Sequence, residues 1–145
     1  MSSVLSYPAT NFTSQPLLAL GDKAVRERLS QSALLGFFNI MTKWRIRDED
    51  AKELLGGVSN GTFYDWKKNP DRLLDVDKIT RISYLIGIYK GLHIIYGDKL
   101  ADEWVCLPNK NSVFRGLQPL AYMLTGGLLA MHAVRSLIDA RRGGI

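Results

Sequence analysis

Apolar positions recur every three or four residues from Asp22 onward. Val25, Leu29, Ser32, Gly36, Ile40 and Trp44 fall on one face of a predicted helix, with Asp22 as its cap. A short helix follows over 48–55, then Gly56-Gly57-Val58, then a second short helix over 59–68 stopped by Asn69-Pro70. Leu73 to Asp77 reads as a connector. Ile79 to Tyr96 reads as a long buried helix with Ile79, Ile82, Leu85, Ile86, Tyr89 and Leu92 on its core face. Gly97-Asp98 breaks or kinks it before 100–105, and 107–117 is a loop rich in Pro, Asn, Ser and Gly. The last helix runs from Pro119 to about Arg142, with a break allowed at Gly126-Gly127. Residues 1–21 hold Pro8 and Pro16 with little helical period and read as a flexible arm. No stretch alternates long enough for a strand, so the expected fold is all-α.

Composition adds limits to this pattern. The 145 residues are 46% hydrophobic and 23% charged, which is globular rather than disordered. Helical units of roughly 60 residues are marginal alone. The two halves are therefore expected to pack on each other or to dimerise. The apolar load of 79–96 and 117–138 argues for a homodimer. A net charge of +5 is compatible with nucleic-acid binding without demanding it. One cysteine, Cys106, allows no internal disulfide, and with only His93 and His132 there is no zinc spacing and no catalytic constellation. Neither an enzyme, nor a cofactor, nor a metal site is expected. The amino terminus shows no signal-peptide pattern, which suits a cytoplasmic protein. The two most apolar stretches carry Arg81, Lys90 and Arg135, which are costly inside a bilayer, so no membrane association is expected.

The stretch from Gly57 to Trp66 has the chemistry of a helix-turn-helix. Gly57 supplies positive φ for a sharp turn, Val58 packs in the angle, and Ser59 caps the next helix. Phe63 and Trp66 then point inward. Asn60, Thr62, Tyr64, Lys67 and Lys68 are left outside, where such side chains reach base edges and phosphates of operator DNA. Two short helices joined by a turn, with no DNA attached, would leave the same trace. The position four before Gly57 is Glu53 rather than a small residue, with Ala51 two residues earlier, so the turn is read as longer, starting at Gly56.

The last third carries a second pattern: Trp104, Pro108-Asn109, Phe114, Gly116, Pro119-Leu120, Tyr122-Met123, Gly127, Val134 and Leu137. Trp104 anchors a helix end, Pro108 stops it, Asn109 satisfies loose backbone groups, and Pro119 starts the final helix. Taken together these residues resemble the toxin-binding domain of the Xre/MbcA/ParS antitoxin family. The region before them resembles the Xre-type helix-turn-helix that precedes it in that family. The resemblance implies an Xre-like domain over 22–92 and a small helical toxin-binding domain over 93–145. It also implies an antitoxin that covers the active site of a RES-type, NAD+-consuming toxin and represses its own operon. Trp104, Pro108, Asn109, Phe114, Arg135, Arg141, Arg142 and Ile145 are the residues expected to serve the toxin, with the final helix projecting and its tail entering a cleft. The alternative is a stand-alone repressor with a carboxy-terminal dimerisation domain. His93 and His132 are expected in hydrogen-bonded core or interface positions, and Cys106 as a small buried hydrophobe.

Overall fold

A computed structural model describes residues 21–143; the amino-terminal arm and Ile145 lie outside the described residues. Helix is the only regular structure among them. The helices are α1 (Lys23–Trp44), α2 (Asp48–Leu54), α3 (Asn60–Lys68), α4 (Val76–Tyr96), α5 (Asp98–Glu103) and α6 (Pro119–Arg142), with a 3₁₀ turn at Trp104–Cys106 after α5.

Capping fixes the boundaries. The Asp22 carboxylate accepts from the Ala24 N–H at 2.9 Å. Helix α1 ends in a Schellman arrangement, with Ile46 N–H on the Met41 carbonyl at 3.0 Å and Arg45 N–H on the Thr42 carbonyl at 3.1 Å. Its buried stripe is Leu29, Ser30, Ala33, Leu34, Phe37, Ile40, Met41 and Trp44. Ser32 and Gly36 fall at the margin of that stripe, because α1 is covered from two sides, by α3 and by α4. The Ser30 hydroxyl donates to the Arg26 carbonyl at 2.6 Å and accepts from the Leu74 N–H at 3.0 Å. That buried pair of bonds pins the connector onto α1.

The turn between α2 and α3 starts at Gly56, as expected. Gly56 and Gly57 have φ of 95° and 86°. Ala51, 1% exposed, supplies the small residue where the helices meet, while Glu53 faces outward. The Asp77–Arg81 ion pair of α4 lies directly on the turn, and a Cβ at Gly56 would stand 3.2 Å from it.

Helix α4 is the hub. It begins at Val76, three residues before the predicted start, because Asp75 accepts from the Lys78 N–H at 2.8 Å. Ile79, Ile82, Leu85, Ile86 and Leu92 are buried as predicted, with Tyr89 half-buried. A second face is buried too, through Ser83, Gly87 and Gly91, and α6 lies in that lane. Gly97, at φ 79°, ends the helix outright. His93 then closes the corner, with Nδ1 and Nε2 each 2.9 Å from a carboxylate oxygen, of Asp98 and Asp102 respectively.

The final helix does not project. It runs beside α4 in the same direction: His132 meets Tyr84 edge-on, Arg135 reaches the Ser83 carbonyl, Ile138 sits over Gly91, and Arg141 donates to the Tyr96 hydroxyl at 2.7 Å. The small side chains of the α4 lane let the two backbones approach closely, which seats α6 along its whole second half. The break expected at the glycine pair is present at Gly127, with φ 64° and ψ −142°. By length and composition α6 could cross a membrane; its Met123, Ala130, Met131, Val134 and Ile138 are instead buried in the core. The halves thus share one core, and a division at 92/93 falls inside α4. Packing of α6 buries part of the apolar load behind the expected dimer; Leu129, 83% exposed, and Leu117, 50% exposed, stay outside the core.

Candidate DNA-binding and partner-binding surfaces

Helix α3 leans on α1 through an edge-to-face contact of Phe38 with Phe63, ring centres 5.4 Å apart. Phe63 is 1% exposed and Trp66 half-buried, which turns the opposite side of α3 to solvent. Ser59 acts as the cap: its Oγ accepts from the Thr62 N–H at 3.2 Å and donates to the Thr62 hydroxyl at 3.1 Å. Ser59 therefore orders the helix start. Asn60, Tyr64, Lys67 and Lys68 are exposed and Thr62 half-buried, so the five stand on or beside one open face.

Two α2 residues that the sequence did not single out share this face. The Tyr64 hydroxyl donates to Asp48 at 2.7 Å, and Lys67 Nζ lies 3.9 Å from the same carboxylate. That hydrogen bond, followed by burial and the Asp48 charge, pushes the Tyr64 phenol above its ordinary range. Lys52 donates to the Asn60 side-chain oxygen. The first turn of α2 carries Asp48, Glu49 and Asp50, which suits the helix dipole but tempers the positive charge of the face. Arg47 answers Asp50 at 3.3 Å, and that hydrogen bond raises its pKa further. The Lys52–Asn60, Asp48–Tyr64 and Asp48–Lys67 pairs link positions eight to nineteen residues apart, across the angle between α2 and α3. Sequence spacing within one helix does not register them.

The carboxy-terminal pattern builds a platform. Trp104 is 6% exposed and meets Phe114 edge-on at 5.8 Å; Phe114 is fully buried and meets Tyr122 at 5.3 Å. Both are interior residues, so they support a surface rather than touch a partner. Asn109 does what its position suggested. Its side chain accepts from the Asn111 N–H at 2.9 Å, and its backbone pairs with Gly116 and Leu117 at 3.1 Å each. Pro108 is exposed beside it.

Arg135 does not stand free as a contact residue. Its guanidinium bonds Asp139 at 3.0 Å, reaches the Ser83 carbonyl at 3.4 Å and lies over Gly87, bridging α6 to α4. Arg142 lies over Gly91, and Arg141 is held by Tyr96. Burial, then the charges of Arg135 and Arg142, pull Lys90 below the usual lysine range. Cys106 is half-buried, with Sγ 3.9 Å from the Trp44 carbonyl; burial raises its thiol pKa. No group of three or more His, Cys, Asp or Glu side chains among the described residues is placed to hold a metal ion.

A capped helix crossing a positive-φ turn, with polar side chains on its open face, defines the helix-turn-helix class. The family model "Antitoxin Xre-like helix-turn-helix domain" matches residues 22–87. The chain belongs to the Xre-type antitoxin family, a class of antitoxin and DNA-binding regulator. It is 37% identical over 112 residues to the uncharacterized protein y4oB of Sinorhizobium fredii, an alignment covering 77% of this chain and 84% of that relative. No solved structure matches.

Proposed function

We propose that the protein is the antitoxin of a type II pair. It binds a RES-type toxin that consumes NAD+, covers its active site, and represses its own operon. The observation that carries this is the order of parts. An Xre-like antitoxin helix-turn-helix is followed by a helical platform that bears the tryptophan, proline-asparagine and proline-leucine pattern of a toxin-binding domain. Within 93–145, Pro108 and Arg141 are the exposed members of the expected set, Asn109, Arg135 and Arg142 are half-buried, and Trp104 and Phe114 hold the platform from inside.

The test is co-expression with the protein encoded by the adjoining reading frame, followed by copurification and an NAD+ assay. Growth and NAD+ should be lost when the adjoining protein is made alone and survive when both proteins are made. The same assay reads the tail. Deleting Arg141 to Ile145 removes the Arg141–Tyr96 bond but no residue of the buried core, so the fold should persist while part of the NAD+ loss returns at matched expression. Full protection by the truncated chain would place inhibition on the platform alone.

DNA binding would run through α3. As a homodimer the protein would meet a two-fold operator with half-sites about 34 Å apart or a multiple of that. Replacing Asn60 or Thr62 by alanine should relax sequence preference. Lys67→Ala should weaken binding evenly across sequences and flatten its salt dependence. Gel-shift titrations against the protein's own promoter and random DNA at two salt concentrations separate these effects. Equal affinity for promoter and random DNA would end the repressor half of the reading.

A further inference from the structure

A hollow of ≈530 Å³ opens between the end of α1 and α5, lined in part by Trp44, Cys106 and Leu107. Lys43, Arg45 and Lys99 line it too. All three are exposed, and none uses its side chain in an ion pair or hydrogen bond with any described residue. Of the two carboxylates in the lining, Asp102 is taken by His93 and Glu103 is exposed. The balance of uncommitted charge is positive.

Arg45 makes the feature more than a charged rim. It occupies the left-handed region, φ 57° and ψ 43°, at a Schellman cap. Glycine is the default there because a Cβ is strained in that conformation. The fold would be better served by glycine, yet the position carries a long cation whose head is free. Strain kept at an exposed, unpaired residue points to work done outside the fold. Beside it, Trp44 is 2% exposed, and its indole N–H is buried without an acceptor.

We infer that this hollow docks an acidic segment of the toxin partner, an extension that rests on the antitoxin reading above. Guanidinium and ammonium groups would receive one or two carboxylates, the planar Arg45 fork taking one of them bidentately. An apolar residue next to those carboxylates would cover Leu107, which is 45% exposed. Protein fits the site better than nucleic acid. A surface that binds duplex DNA sets several cations along a run of phosphates, whereas this is a small concave site with an apolar wall and a carboxylate on it. No residue of α3 lines it.

The decisive variant is Arg45→Gly in the full-length chain, with Lys99→Glu as a second. The partner probe is the protein from the adjoining reading frame, with the binding constant measured by calorimetry. Arg45→Gly should raise the melting temperature by about 3–6 °C by relieving backbone strain. It should also weaken partner binding about tenfold, and Lys99→Glu should weaken binding without the gain in stability. Affinity for promoter DNA should not change. Unchanged partner affinity in both variants would overturn the inference while leaving the antitoxin reading intact. So would a loss confined to DNA binding, which would make the hollow a phosphate contact. Failure of the unaltered chain to bind the adjoining protein at all would overturn both.

Discussion

Replacing Trp104 by alanine should cost about 3–5 kcal/mol of folding stability, the range for removing a large aromatic from a packed core. The indole is 6% exposed and braces Phe114, which in turn braces Tyr122 on α6. Removing it leaves a void where α5, the loop over 107–117 and the start of α6 converge. The loop's own bonds, from Asn109 to Asn111, Gly116 and Leu117, should survive locally but lose their anchor. Urea denaturation should show the midpoint falling with little change in slope. In the rescue assay the variant should fail through low abundance of folded protein, unlike the tail deletion, which should fail at full abundance. A stability within about 1 kcal/mol of the parent would mean that the site collapses around the missing ring, and the pattern built on Trp104 would lose its structural basis.

Much of this architecture is legible along the chain because it rests on local signals. Asp22, Ser59 and the glycines of the turn act within a few residues of themselves, and the helices they bound lie close to where the periodicity puts them. The start of α4 is displaced because its cap is Asp75, a residue the apolar pattern passes over. The candidate DNA face is half legible. Asn60, Tyr64 and Lys67 are exposed, as the apolar pattern of the helix implies, but the engagement of Asn60 with Lys52 and of Tyr64 and Lys67 with Asp48 depends on a crossing angle between helices. Least legible is the course of α6. The run Arg141-Arg142-Gly143-Gly144-Ile145 reads in sequence as a tail reaching outward. The feature that holds the helix down is a row of small residues, Ser83, Gly87 and Gly91, which reads in sequence as gaps in an apolar face. Arg135 reads as a partner contact for the same reason, since one of its acceptors, the Ser83 carbonyl, lies 52 residues away on another helix.

That row gives the second large effect, and its two glycines should behave oppositely. At Gly87 an added Cβ would meet the guanidinium of Arg135, the far end of a flexible side chain. The head can swing aside at the cost of a long bond to the Ser83 carbonyl, 3.4 Å, and alanine gains about 1 kcal/mol in helix propensity over glycine. Gly87→Ala should therefore be close to neutral. At Gly91 an added Cβ would run into the Ile138 γ-methyl, with the Arg142 stem 3.1 Å away. Ile138 is fully buried and β-branched, confined in a helix largely to one rotamer, so it moves only if α6 moves. Gly91→Val should cost about 2–3 kcal/mol by overpacking, a loss that the small gain in helix propensity of valine over glycine offsets only in part. Denaturation of the two variants beside the parent reads the difference directly. Amide exchange should localise it, with protection lost along the second half of α6 in Gly91→Val alone. If Gly91→Val is as stable as the parent, α6 does not lie in the lane. The chain from Arg135 to Arg142 would then project as the sequence first suggested, with its arginines available to a partner.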